Sequence, residues 1–458
     1  MKKMVLLLLV LTLTGGLIPA QKLIDIYKNG TVKLVADKTY GANNNWESLF
    51  NLYYDTLGTY DRPRGNDKKI VVAPDGSVFM SHKNMHEIWK FGPDGNFVKS
   101  FGSKGGKPHQ FPMLPSIEPV VDGKYIFTCD VNARLKFFDL NGNYFKSLTL
   151  DYMTGGFQPI GDGIVMLEGR VMWKNEDPGT KNIIYKWRHI IVKLNINTGE
   201  EKIIYDFFEP ANMKVINPSD KATSRMESIP PPDGNIYLPN YLVFNIPVFV
   251  LLKSGQFLQF DRKTGEVRYI NADGKEIQRF KLDISPIKIT EKDVLENYES
   301  TKQSLIKSIN YARLVRDSTR ISKGERGTTP GTVISAFPNS DEIIKKGEEA
   351  LTKIESLKDI NKYYTNLPYF SNIIVDEEGN LLVFEFTSKE ERESNAFNLV
   401  AYNANGKILA RTSFTCDEYD LDFSGGKFII SKGYVYAVAK LKNTTGMPLR
   451  LVKFKMTN

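Results

Sequence analysis

Four histidines and two cysteines are the residues of this 458-residue chain best suited to metal, acid–base or nucleophilic chemistry. The histidines are His82, His86, His109 and His189, and no HxH or HExxH pattern joins any of them. His82 precedes His86 by four residues, but on a strand-to-loop stretch, where that spacing does not align two ligands as it would on a helix. His109 is expected in a link between sheets. His189 follows Arg188 at the start of a strand and is expected half-exposed there. Histidines from separate segments can converge on one ion, so His109 and His189 are the candidates for a divalent metal. Without one, no cofactor is expected. Cys416 has no histidine near it in sequence to act as its base; an exported chain could join it to Cys129 in a disulfide, but the repeats put the two in non-adjacent blades, so separate buried thiols are expected. No G-x-S-x-G elbow occurs, and Gly102–Gly106 lacks the following helix that a phosphate-cradling loop requires. The aromatic residues offer binding rather than catalysis. Trp173, Trp187 and Arg188 flank a polar insertion over Val171–Lys186 and are the ligand-binding candidates, on a rim at one face.

These groups must be held by a repeated unit. Asp75-Gly76 is followed nineteen residues later by Asp94-Gly95, and Asp122-Gly123 by Asn141-Gly142 at the same interval. Ser254-Gly255 and Asp273-Gly274 repeat it. Such pairs favour two-residue hairpin turns, because both central residues of a type I′ turn need positive φ. Between them lie short runs rich in Val, Ile, Phe and Tyr. Lys69–Ala73, Ser77–Ser81, Glu87–Phe91 and Asn96–Phe101 read as four strands, and Lys124–Thr128, Leu135–Asp139 and Tyr144–Leu150 repeat three of them. Four strands in 40 to 50 residues make one propeller blade. Looser units follow at Asp162-Gly163/Thr198-Gly199 and at Glu378-Gly379/Asn405-Gly406, the latter with a charged insertion around Ser388–Asn395. The last unit runs from Phe428 through Lys432-Gly433 to Arg450–Lys455 and lacks its fourth strand. Thr31–Asp37 at the N-terminus can supply it, leaving no open edge. The expected fold is therefore an all-β six-bladed propeller. A seventh blade at Arg225–Asn245 is the alternative count.

The first unit carries a family signature. Ile70–Ala73, Pro74-Asp75-Gly76, Val78-Phe79, Asn84-Met85-His86-Glu87-Ile88, Phe91, Gly95, Phe97 and Phe101-Gly102 follow one another in the order of an NHL repeat. Gly105-Gly106 and Gln110-Phe111-Pro112 match its link to the next blade. The second unit keeps Asn132, Arg134, Leu135, Phe138, Gly142 and Tyr144. The chain thus resembles the bacterial secreted six-bladed β-propeller proteins with NHL-like repeats, most specifically over residues 69–150. The resemblance implies the fold. Some propellers related to this group are lyases or hydrolases that use histidine, a metal and acidic groups at the channel. His86 occupies the ordinary NHL histidine position and is expected to be structural.

From Ile289 to Tyr364 the repeats pause. Thr290 can cap a helix with apolar positions at Leu295, Tyr298, Leu305, Ile309 and Leu314, and Ser340 a second with Ile344, Leu351, Ile354 and Leu357. This is expected to be a helical insertion between later blades, linked across Gly324–Gly331. Asn43–Tyr54 is expected to form a short amphipathic helix through Trp46 and Phe50. Residues 1–20 read as a signal peptide. Lys2 and Lys3 precede an apolar run shorter than a spanning helix needs, and Pro19-Ala20 precedes Gln21. The mature chain, 21–458, is then one exported propeller, periplasmic or secreted, without a membrane span and monomeric. The formal charge of +8 is interspersed rather than clustered, which argues against a nucleic-acid groove. Two functions lead, ahead of a structural role in a larger envelope assembly. One is a non-catalytic recognition propeller that binds a protein, peptide or glycan through loops at one face. The other is a metal-dependent hydrolase or lyase with its site in the central channel.

Overall fold

The computed structural model describes residues 22–50, 69–82, 86–112, 116–117, 123–129, 133–176, 180, 182–209, 213–216, 225–228, 247–324, 340–386, 396–421, 423, 427–445 and 447–458. The signal-peptide segment, most of the 225–245 segment, the 388–395 insertion and nearly all of the 324–331 link lie outside these residues.

The described residues fall into two compact units, one of 1–226, 246–285 and 369–458, the other of 227–245 and 286–368. The first unit is all-β and propeller-like. Sheet one is a four-stranded meander of β2 (Ile70–Val72), β3 (Val78–His82), β4 (Glu87–Phe91) and β5 (Phe97–Phe101). Sheet two repeats it with β6 (Ser116–Ile117), β7 (Tyr125–Cys129), β8 (Arg134–Asp139) and β9 (Tyr144–Thr149). Sheet three contains β10 (Met153–Gly161), β11 (Ile164–Glu176), β12 (Ile183–Asn195), β13 (Glu201–Phe208), β14 (Met213–Ile216) and β15 (Arg225–Ser228). Sheet four is again a meander, of β16 (Val248–Leu251), β17 (Phe257–Phe260), β18 (Glu266–Ile270) and β19 (Glu276–Lys281).

The remaining strands form one nine-stranded sheet. In it β20 (Asn372–Val375), β21 (Leu381–Phe384), β22 (Ala396–Tyr402) and β23 (Ile408–Thr415) make a meander, as do β25 (Phe428–Ser431), β26 (Tyr434–Leu441) and β27 (Leu449–Thr457). The short β24 (Tyr419–Asp420) joins β26. The N-terminal strand β1 (Thr31–Ala36) lies between the two meanders. It pairs antiparallel with β27, from Lys33–Thr457 to Ala36–Phe454, and parallel with β23. The expected pairing of first strand with last is present.

A repeated contact joins successive sheets. The glycine of the turn between the third and fourth strands packs on the outer strand of the sheet before it. A Cβ on Gly142 would meet the Phe101 ring at 2.6 Å, and one on Gly406 the Phe280 ring at 2.5 Å. Gly199 lies near Leu148, and Gly274 against the Ile204 carbonyl. Gly95 lies against Tyr40, just beyond β1, so β1 stands before sheet one as β5 stands before sheet two. Hydrophobic clusters fill the spaces between sheets. One joins Phe127, Leu135 and Phe137 to Leu167, Val192 and Leu194, and another joins Met166 and Ile191 to Leu251, Phe257 and Ile270. Cys129 and Cys416 are both buried, in different clusters. A helix over Trp46–Phe50 stacks Trp46 on Phe50 and Phe91, and Phe50 is fully buried. It is therefore a packing element; Tyr53 and Tyr54 lie outside the described residues.

The second unit is helical. Thr290 Oγ1 accepts from the Asp293 amide while Asp293 Oδ2 accepts from the Thr290 amide, a reciprocal cap that starts the helix Glu291–Gly324. The second helix runs Ser340–Lys353, Ser340 itself being helical. Ile309 and Ala312 pack on Ile344, while Tyr298 is buried and donates to Glu355. Leu295 and Leu314, expected on the packed stripe, are exposed. No helix among the described residues is long and apolar enough to cross a membrane.

Candidate functional site

Within the expected polar insertion Val171–Lys186, residues 171–176 and 183–186 are strand rather than loop. They are the far half of a ribbon made by β11 and β12, thirteen residues each, paired without interruption from Ile164–Asn195 to Glu176–Ile183. Strands of this length outrun the neighbouring sheets, and their outer halves lose the partners that bury both faces. Met172 and Trp173 are each 49 % exposed as a result. Alternation along the strands sorts the ribbon's residues between two faces.

One face carries Val171, Trp173, Lys186, Arg188 and, from β13, Phe208. Trp173 stands edge-on to Phe208, with ring centroids 6.2 Å apart. Arg188 lies 5.7 Å over the Phe208 ring and donates to Asp206 at 2.7 Å. The guanidinium is thus fixed by an ion pair and a ring together. Trp187 pairs with Met172 and belongs to the other face. The three ligand-binding candidates are therefore divided: Trp173 and Arg188 share a surface, and Trp187 does not.

The opposite face, nearer the body of sheet three, holds a charged cluster. His189 is completely buried, which corrects the half-exposed position expected from its place in the sequence. The strand does not begin at His189 but six residues earlier, so His189 lies mid-strand between sheets three and four. Its Nδ1 faces Glu168 Oε1 at 3.4 Å and its Nε2 bonds Glu209. Both carboxylates are buried, and Arg170 donates to Glu168 at 3.2 Å. Phe207 and Phe249 flank the imidazole. Burial works against a charged ring, but the hydrogen bonds to Glu168 and Glu209 outweigh it and hold the His189 pKa above its ordinary value. Gly155 and Gly156 form a bulge of β10 opposite Glu168, where a Cβ on Gly155 would come within 2.9 Å of the carboxyl group. Neither glutamate was found from sequence. Their only signal is period-two placement against His189 across paired strands, and the register is invisible before folding.

His109 lies on an exposed turn, and His86 meets the Phe111 carbonyl at 3.0 Å, tying the link to its sheet. His109 and His189 are not brought together. Among the described residues no group of three or more His, Cys, Asp or Glu side chains is arranged to hold a metal ion. In the Glu168–His189–Glu209 trio the carboxylates meet opposite nitrogens of the ring, so the donors share no common centre.

The innermost strands of sheets one, three and four and of the nine-stranded sheet border a cavity of about 880 Å³, reached by Val71, Phe157, Leu252, Ile373 and Ile430. Its acidic side chains are engaged. Asp376 accepts from Tyr27 Oη at 3.2 Å and Asn380 Nδ2 at 2.9 Å, Glu377 from the Gly433 amide at 2.7 Å, and Glu378 from the Leu23 amide at 3.0 Å. Burial raises the pKa of Asp376 despite these donors, and burial with the neighbouring Asp376 raises that of Tyr27.

Fold and site together define an all-β, propeller-like protein with an extended aromatic ribbon on one sheet. No family model and no curated protein matches the sequence. Solved structures do match. A member of the DUF4221 family from Bacteroides vulgatus is 13 % identical, with 94 % of this chain and 99 % of that one covered and a TM-score of 0.45. A streptogramin B lyase is 11 % identical over 87 % and 95 % of the two chains, with a TM-score of 0.36. A virginiamycin B lyase from Staphylococcus aureus is 10 % identical over 85 % and 94 %, with a TM-score of 0.35. At these scores the likenesses say nothing about what this chain binds or does.

Proposed function

We propose that the protein is an exported, non-catalytic recognition propeller of six NHL-like blades, binding a protein, peptide or glycan through the ribbon of sheet three. The six blades are sheets one to four and the two meanders of the nine-stranded sheet, with β1 as the outer strand of the last. The recurring glycine contacts support this count, since Gly95 meets Tyr40 as Gly142 meets Phe101. The observation that carries the binding role is Trp173, half-exposed on rigid strands beside Phe208 with Arg188 held over that ring. Exposed aromatic surface on a rigid element marks contact sites, because it offers apolar area at little ordering cost. Lys186, paired with Trp173 on the same face, favours a ligand bearing acidic groups. The acidic side chains around the cavity are committed to backbone and tyrosine donors, which leaves them poorly placed for acid–base work.

Purified protein tested on glycan and peptide arrays is expected to select ligands that Trp173→Ala binds at least about tenfold more weakly. Equal binding by wild type and Trp173→Ala would remove the ribbon from the role. Export is tested on protein recovered from its source cells by N-terminal mass spectrometry, with a chain starting at Gln21 expected.

A further inference from the structure

We propose that Glu168, His189 and Glu209 form a protonation-dependent clasp that positions the aromatic surface of the ribbon. The proposal deepens the recognition reading and rests on it for its purpose. Each member of the clasp is a strand neighbour of the surface it would position. Glu168 and Arg170 lie on β11 just before Val171 and Trp173, His189 follows Arg188 on β12, and Glu209 follows Phe208 after β13. The clasp occupies one face of the three strands and the aromatic surface the other.

The chemistry of the contacts makes the clasp sensitive to protons. An ionised carboxylate only accepts hydrogen bonds, and a neutral imidazole donates from one nitrogen alone. With Glu168 at Nδ1 and Glu209 at Nε2, both bonds exist only when both ring nitrogens carry hydrogen. Imidazolium and Arg170 then balance the two carboxylates, leaving the buried cluster neutral. When the ring loses a proton, one nitrogen lone pair faces a carboxylate lone pair at a buried position. Glu168, Glu209 and Arg170 are the charged groups that act on the ring. From β10 the neighbours are Gly155 and Gly156, and β13 and β16 present Phe207 and Phe249. Because the folded-state pKa lies above the unfolded value, the clasp is complete below the unfolded pKa of about 6.5 and opens as pH rises through the folded one.

The test follows the imidazole of His189 and the indole N–H of Trp173 by NMR through a pH titration of the full chain without ligand. Trp173→Phe assigns the indole signal. The expected result is a His189 midpoint above the ~6.5 of a free imidazole, with the Trp173 signal moving at the same midpoint. Glu209→Gln supplies an amide that can donate to a neutral ring nitrogen, so it should keep the fold and abolish the Trp173 movement. A His189 midpoint at or below about 6.5 overturns the clasp, as does a Trp173 signal that ignores the His189 titration or still follows it in Glu209→Gln. None of these readouts uses a ligand. Array binding indifferent to Trp173→Ala would therefore remove the recognition role while leaving the clasp standing.

Discussion

Sheets one and three both turn through glycines of positive φ and have opposite surroundings. In sheet one the strands are three to five residues long, and β3 and β4 bury Val78, Phe79, Met80, Ile88, Trp89 and Phe91 between neighbours on both faces. In sheet three the two central strands run thirteen residues. Their inner halves are as apolar and buried as sheet one, with Val165, Leu167, Val192 and Leu194 fully enclosed. Their outer halves pass beyond the neighbouring sheets and carry Met172 and Trp173 into solvent. The buried charged cluster sits where one regime gives way to the other. A strand that leaves the packed body needs something other than apolar contact to fix its direction, and a satisfied polar network between sheets is directional where a hydrophobic contact is not.

The contrast can be broken from either side. Phe91→Ala removes a fully buried ring from sheet one and is expected to cost about 3–5 kcal/mol, read from chemical denaturation. A loss below about 1 kcal/mol would show that the regular sheet is not the tightly packed reference assumed here. Glu209→Ala leaves a buried imidazole nitrogen without its partner. It should cost about 1–3 kcal/mol near neutral pH, and clearly less at a pH above the folded His189 pKa. The same cost at both pH values would mean that the cluster's stability does not depend on ring protonation. Trp173→Ala should change stability by no more than about 0.5 kcal/mol, since the side chain is half in solvent, while weakening ligand binding. A large stability loss there would recast the ribbon as core rather than contact surface.

The parts of this fold that were legible in the sequence are those set by local chemistry. The glycines Gly76, Gly95, Gly142 and Gly274 have the expected positive φ, but Asp75, Asp94, Asn141 and Asp273 before them do not, so these turns are not the expected type I′ pairs; among the described residues only Asp162-Gly163 and Lys432-Gly433 have both residues positive. Apolar runs between the glycine turns place β4 at Glu87–Phe91 and β2, β3, β5, β7, β8 and β9 within about a residue, while the two-residue β6 was not read. The role of β1 was also readable, because the last repeat plainly lacked a strand. The ribbon was not. Val171–Lys186 is polar because it is solvated, and a solvated strand and a loop share the same composition. The partners of His189 were hidden for a different reason. Glu168 and Glu209 are 21 and 20 residues away, and only the register of three paired strands makes them neighbours. Trp187 and Arg188 show the opposite failure: adjacency in sequence suggested a shared surface, and strand alternation separates them.

The pairing of β1 with β27 also bears on how the chain reaches its final form. Residues 31–36 are synthesised among the first and acquire their antiparallel partner only when residues 449–457 exist. Until then the strand has unpaired main-chain edges, and loop-closure entropy over most of the polypeptide opposes the last step. Folding intermediates would therefore present a sticky seam at one place, and a ribosome-stalled or C-terminally clipped chain would keep it. Chains ending before Leu449 should associate edge to edge, whereas the complete chain hides that seam by its own tail.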